Sequence, residues 1–176
     1  LWFDTFFQTN PTQAQKLVDI ALEIGKPKKT EKMIDLFCGV GTFSLPFASQ
    51  VDKLAGIEIV ESSIESAKRN AKDNGLTNTY FLAKDARKGI DEVLESFGNP
   101  ELLLLDPPRS GAGGKVMRRI GRSKPERIVY VSCNPDTFAT DIKELEPFGY
   151  KLKVVQPVDL FPHTVHCEAV ALLELE

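Results

Sequence analysis

Short apolar runs alternate with amphipathic stretches along most of this chain. Residues 32–37, 53–58, 79–83, 101–105 and 127–132 are brief runs rich in Ile, Leu, Val, Phe and Tyr. They are too short for buried helices and read as strands. Residues 102–105 are four consecutive leucines, a pattern expected of a strand covered on both faces. Residues 43–49, 62–74 and 136–145 carry helical periodicity between or after these strands. Ahead of them, Asn10-Pro11-Thr12 opens a helix with Leu17, Ile20, Ala21 and Ile24 on one face, and Gly25-Lys26-Pro27 ends it. Residues 151–155 and 169–175 form two closing strands with no helix between them, which predicts an antiparallel pair at one edge. The expected fold is α/β: a mostly parallel, seven-stranded sheet with helices on both faces. Residues 1–176 make one domain's length, with residues 1–30 as a lead-in segment and helix. The sequence shows no repeats, and its oligomeric state leaves no mark in it.

Composition narrows the class. Apolar residues make up 42% and charged residues 27% of the chain, ordinary values for a globular protein, and no run approaches a membrane span. No membrane partner and no signal peptide are expected. The chain opens at Leu1 rather than Met, as a piece of a longer protein would. Cys38, Cys133 and Cys167 are odd in number and lack CxxC spacing. That disfavours a disulfide framework or a zinc site and fits a reducing, cytoplasmic setting. The net charge of −3 does not mark a nucleic-acid binder by itself. The distribution says more: Arg109, Lys115, Arg118, Arg119, Arg122, Lys124 and Arg127 stand against the single acid Glu126. This run reads either as a solvated helix face or as a phosphate-binding stripe.

Candidate chemistry gathers where strands end. Asp35-Leu36-Phe37-Cys38-Gly39-Val40-Gly41 follows the first strand, and its two glycines let the backbone approach a ligand closely. Ser44 stands where a dinucleotide fingerprint has its third glycine. Glu58, 17 residues beyond Gly41, ends the second strand, where an acid can accept hydrogen bonds from both ribose hydroxyls. Asp85 follows the third strand and could meet an adenine amino group; helix capping is the alternative. Together these residues suggest an adenosine cofactor, and the missing third glycine favours S-adenosylmethionine over NAD.

The second group follows the fourth and fifth strands. Asp106-Pro107-Pro108-Arg109 lies beyond the four leucines, where open α/β sheets bind ligands. Ser132-Cys133-Asn134-Pro135 joins the fifth strand to a helix, with Asn134 a candidate N-cap and Pro135 suited to the first turn. The helix terminus is expected to favour a Cys133 thiolate, making it a candidate nucleophile. A small buried residue is the blander alternative. Near the C-terminus His163, His166 and Glu168 lie around the last loop, with Glu168 a candidate general base.

Five stretches occur in one order: Phe6-Phe7-Gln8-Thr9-Asn10, Asp35 to Gly41, Asp106 to Arg109, Ser132 to Pro135, and His166-Cys167-Glu168. In them the sequence resembles the catalytic domain of the bacterial and archaeal RNA uracil-5-methyltransferases, which form 5-methyluridine in ribosomal and transfer RNA. The resemblance implies a Rossmann-like class I methyltransferase fold, S-adenosyl-L-methionine as cofactor and an rRNA or tRNA substrate, with no DNA. It implies cofactor contacts from Gln8, Phe37, Gly39, Gly41, Thr42, Glu58, Asp85 and Asp106. Pro107, Arg109, Asn134 and His166 would line the substrate pocket. Cys133 would add to carbon 6 of the uracil, and Glu168 would remove the carbon-5 proton. Thr140 departs from the arginine common in the family after the SCNP motif. The family's N-terminal oligonucleotide-binding domain and central RNA-binding domain are not in this sequence. Two alternatives stand beside this reading. One is a non-catalytic module binding S-adenosylmethionine and RNA, which methyl incorporation would exclude. The other is a NAD-dependent oxidoreductase, which the Ser44 position and the SCNP motif disfavour.

Overall fold

The computed structural model describes residues 11–158 and 168–176. Gln8, His163, His166 and Cys167, and Asn10 as a helix cap, lie outside the described residues. Among the described residues the strands form one seven-stranded sheet of order β3-β2-β1-β4-β5-β7-β6. The strands are β1 (Lys32–Leu36), β2 (Lys53–Glu58), β3 (Thr79–Ala83), β4 (Leu102–Leu105), β5 (Arg127–Ser132), β6 (Tyr150–Val158) and β7 (Glu168–Leu175). β1 to β5 pair in parallel, while β7 lies antiparallel to both β5 and β6. The expected antiparallel pair therefore forms, with β6 on the outside and β7 against β5.

The helices are α1 (Pro11–Gly25), α2 (Ser44–Ala48), α3 (Glu61–Asp73), α4 (Ala86–Phe97), α5 (Gly114–Ser123) and α6 (Pro135–Lys143). One apolar layer holds Leu17, Val18 and Ala21 of α1 and Phe47 of α2 against Met33, Leu54, Leu102, Leu104, Val129 and Leu172. The opposite layer packs Ile90 and Val93 of α4 and Met117 and Ile120 of α5 on Ile34, Ile57, Leu103, Leu105 and Ile128. Alternate residues of each strand feed opposite layers, as the pleat requires. The four leucines of β4 are fully buried, and each such side chain contributes about 2 kcal/mol of transfer free energy.

Several boundaries differ from the sequence reading, three of them in strands for clear reasons. β1 stops at Leu36 because Phe37 takes a left-handed φ of 64°, which ends the extended backbone. Glu101 falls outside β4; its side chain accepts the Lys32 N–H at 2.7 Å. β6 runs longer than the 151–155 run suggests because β7 supplies a partner along its whole length, with a bulge between Leu152 and Val154.

The basic run is also corrected. Lys115, Arg118, Arg119 and Arg122 share the outer side of α5, but most of the run is engaged within the chain. Arg118 pairs with Glu144 at 2.9 Å and Arg119 with Asp91 at 3.1 Å. Lys124 donates to the Phe148 carbonyl. Arg127 is buried, bonds both Glu31 oxygens and donates to the Gly25 carbonyl, tying β5 to the end of α1. Burial works against the Glu31 carboxylate, but the Arg127 guanidinium holds it below the ordinary carboxylate range. A continuous phosphate-binding stripe is therefore not what this run builds.

Candidate active site

Strand order reverses between β1 and β4, the switch point at which open α/β sheets form a ligand crevice beyond the carboxyl ends of the strands. The first wall is the turn after β1. Phe37, Gly39 and Gly41 all have positive φ, at 64°, 55° and 94°. Gly41 requires glycine: its φ disfavours a side chain, and a Cβ would pack against Leu45. Over Gly39 a Cβ would meet nothing within 4 Å, so the turn has open space above it. Thr42 follows, partly buried.

Glu58 ends β2 and reaches across to this turn. Its Oε1 accepts the Gly39 N–H and its Oε2 the Val60 N–H, each at 3.1 Å. The carboxylate is thus fixed beside the glycine turn, where the sequence places a ribose-binding acid. Asp85 realises the capping alternative: its side chain accepts the Lys88 N–H at 3.0 Å and starts α4. It stands one residue beyond the loop that leaves β3, on the same sheet edge.

Asp35 belongs to this wall although the sequence reading gave it no role. It is fully buried, and its Oδ2 accepts the Ser44 hydroxyl at 2.5 Å. Among the described residues its Oδ1 has no hydrogen-bond partner. Burial, against the Ser44 hydrogen bond and with Glu58 nearby, pushes its carboxyl up to about 7. An acid at the end of an otherwise apolar strand is the signal that could have singled it out.

The second wall comes from β4, β5 and β7. Asp106 follows β4, and its N–H donates to the Leu36 carbonyl, holding the two walls together. Pro107 is buried; Pro108 and Arg109 are exposed. Ser132 pairs with Ala169 in the antiparallel β5–β7 register, so Cys133 and Glu168 are the next residues on either side. Glu168 is only 6% exposed, and its Oε2 has no hydrogen-bond partner among the described residues. Desolvation raises its carboxyl to about 7. Asp106 is raised well above the ordinary range by burial, then by the Glu168 and Asp35 charges.

Cys133 is partly exposed, whereas Cys38 is buried and its thiol is driven strongly upward by burial. The expected stabilisation of a Cys133 thiolate is corrected. Burial, Glu168 and Asp106 raise the thiol above its ordinary value, and Arg109 is the charge that pulls it down. Burial is the larger cause, and the two carboxylates, brought in by other strands, add to it. The terminus itself forms as expected: Asn134 caps α6 by accepting the Asp136 N–H at 3.0 Å, and Pro135 opens the helix. The Asn134 amide also donates to the Arg109 carbonyl, and Arg109 Nη1 donates to the Cys133 carbonyl, both at 3.0 Å. The candidate substrate residues Arg109 and Asn134 therefore already hold one another. Thr140, in place of the family's arginine, bonds back to the Asp136 carbonyl.

The crevice thus joins a glycine turn with a fixed acid to a thiol flanked by two carboxyls and an arginine. Comparisons with known proteins identify the family. The tRNA (uracil-5-)-methyltransferase family profile matches residues 2–176. An RNA methyltransferase of Halalkalibacterium halodurans, described as uncharacterized, is 45% identical over 172 residues, covering 98% of this chain and 38% of that protein. One from Chlorobaculum tepidum, described likewise, is 43% identical over 173 residues, covering 97% of this chain and 36% of its own length. Among solved structures, the tRNA (uracil-54, C5)-methyltransferase of Pyrococcus abyssi in complex with S-adenosyl-L-homocysteine superposes with a TM-score of 0.81 at 38% identity. It covers 97% of this chain and 40% of that one. This chain spans less than two-fifths of the length of the two curated relatives. The profile match over residues 2–176, with these relatives beside it, makes the chain a member of the tRNA (uracil-5-)-methyltransferase family.

Proposed function

We propose that this chain carries out methyl transfer from S-adenosylmethionine to carbon 5 of a uridine in rRNA or tRNA, through a covalent adduct with Cys133. The observation that carries the proposal is the β5–β7 register, which sets a partly exposed thiol next to a buried carboxyl raised to about 7.

On this reading Glu58 takes the ribose hydroxyls and Asp85 the adenine amino group. Phe37, Gly39, Gly41 and Thr42 form the bed beneath the cofactor, and Asp106 closes it on the substrate side. Gln8 would add a contact from the segment outside the described residues, and His166 one toward the base. The fit rests on the open space above Gly39, the fixed Glu58 carboxylate and the orphaned Asp35 oxygen. S-adenosylmethionine, when bound, supplies the methyl group as an electrophile and leaves as S-adenosylhomocysteine.

Carbon 5 of uracil is a weak nucleophile. Attack of the Cys133 thiolate on carbon 6 forms a C–S bond and moves the ring π electrons to an enolate, which makes carbon 5 nucleophilic. After carbon 5 is methylated it still bears its proton. Glu168 accepts that proton; the electron pair restores the 5,6 double bond and expels the thiolate. A carboxyl near 7 suits this step, because it takes a proton readily and is still substantially ionised at neutral pH. Arg109 favours the thiolate and, on this reading, would oppose the enolate charge of the ring. The target base must leave its stack to reach a thiol in this crevice, at a cost of a few kcal/mol.

Cys133→Ala is expected to abolish methyl incorporation into unmodified tRNA or rRNA while leaving S-adenosylmethionine binding, read by calorimetry, unchanged. Undiminished turnover in this variant overturns the covalent mechanism.

A further inference from the structure

Asp141 lies on α6, two turns beyond Cys133, and takes no part in the steps above. It is 3% exposed and accepts three hydrogen bonds. The Tyr130 hydroxyl and the Ala112 N–H donate to Oδ2 at 2.6 and 2.8 Å, and the Gly113 N–H donates to Oδ1 at 3.1 Å. Tyr130 comes from β5, while Ala112 and Gly113 belong to the loop that leaves Arg109 and enters α5. The same side of α6 holds this loop twice more. Thr137 Oγ1 and Asn134 Nδ2 both donate to the Arg109 carbonyl at 3.0 Å. Positions 134, 137 and 141 follow helical spacing, so the three side chains form one row. The loop is shaped to meet that row. Gly111 has φ of 83°, and a Cβ there would stand 2.9 Å from Asp141 Oδ2 and 3.0 Å from the Thr137 Cβ. Phe138 packs edge-on to the Tyr130 ring and keeps the hydroxyl aimed at Asp141.

We propose that Asp141 is a positioning residue: with Thr137 and Asn134 it clamps the 109–113 loop so that the Arg109 guanidinium stays on the Cys133 backbone. A carboxylate is needed because all three of its partners are donors. An asparagine would turn an N–H toward one of them and leave a buried donor unsatisfied. Among the described residues, the charged and titratable groups facing the Cys133 thiol are Glu168 from β7, Asp106 beyond β4, Tyr130 on β5 and Arg109, and of these Arg109 is the cation. Releasing the loop moves the cation away and leaves the anions in place.

The test reads the thiol directly. The rate of Cys133 alkylation by iodoacetamide is followed against pH, with mass spectrometry of the Cys133 peptide to separate it from the other cysteines. Asp141→Asn, checked for folding by its thermal transition, is expected to slow alkylation at pH 8 by roughly threefold and to move the profile to higher pH. Loss of the Asp141 charge acting only through space would shift the profile the other way. In an Arg109→Ala background Asp141→Asn should add nothing, because the clamp acts through Arg109. A folded Asp141→Asn variant with an unchanged or lowered profile overturns the proposal. If that variant does not fold, Thr137→Val and Tyr130→Phe carry the same expectation at smaller size, and unchanged profiles in both overturn it. The catalytic consequence rests on the proposed role of Cys133. Alkylation needs neither RNA nor cofactor, so a failed clamp and a failed methyl-transfer reading give different results.

Discussion

The two walls of the crevice are built by different physics. The wall after β1 and β2 is made of backbone: three alternate positive-φ residues, 37, 39 and 41, and a carboxylate fixed by two main-chain N–H groups. The wall after β4, β5 and β7 is made of side chains crowded together: Asp106, Glu168 and Cys133 each raise the proton affinity of a neighbour, with Arg109 opposing. A backbone bed suits a ligand that must be held in one pose. Crowded, desolvated acids suit groups that must exchange protons near neutrality. Asp35 stands between the walls, in the strand of the first and coupled to the carboxyls of both.

Substitutions can separate the walls. Glu168→Gln is expected to lower methyl transfer by about 10²–10⁴-fold, as loss of a general base does, with cofactor affinity unchanged. In the unsubstituted protein, single-turnover release of methylated RNA should rise with pH through about 7 as Glu168 ionises, and the variant should lose that limb. Equal losses of transfer and cofactor binding would show that the walls are not independent. Glu58→Ala should weaken S-adenosylmethionine binding by roughly 10–100-fold, the worth of charge-assisted hydrogen bonds, while leaving Cys133 alkylation untouched. A change in alkylation there would break the comparison from the other side.

The smallest effect concerns stability. In the fold Asp35 keeps its proton up to about 7, against an ordinary value of 3.8, and Glu168 behaves alike from 4.5. Between pH 4 and 7 the folded chain therefore holds protons that the unfolded chain has lost, and stability falls as pH rises across that window. Glu31 has the opposite sign, its contribution being lost only as pH falls below its ordinary range. Asp35→Asn keeps an acceptor for Ser44 and removes the penalty. Its melting temperature should exceed that of the unsubstituted chain by about 5 °C at pH 8 and by little at pH 4.

Much of this was legible in the sequence. The strands β1 to β5 announce themselves as short apolar runs, and the residues just past each one mark the crevice. Other features were hidden for definite reasons. Phe37 ends β1 in a conformation that its residue type does not advertise. The basic run left a solvated helix face and a phosphate-binding stripe both open because its partners Asp91, Glu144 and Glu31 lie far away in the chain. The raised Cys133 thiol could not be read locally, since Glu168 reaches it from a strand 35 residues on, through the β5–β7 register. The Asp141 clamp joins β5, α6 and the loop before α5, a meeting that no local pattern encodes.

The covalent step has the most direct test. RNA carrying 5-fluorouridine at the target position places fluorine where Glu168 would take a proton, so the methylated adduct cannot collapse. Incubated with the protein and S-adenosylmethionine, it should give a denaturation-stable protein–RNA complex whose cross-linked peptide contains Cys133, and Cys133→Ala should give none. RNA that binds without forming the adduct, or an adduct that persists in Cys133→Ala, would contradict the assignment of Cys133 as the nucleophile.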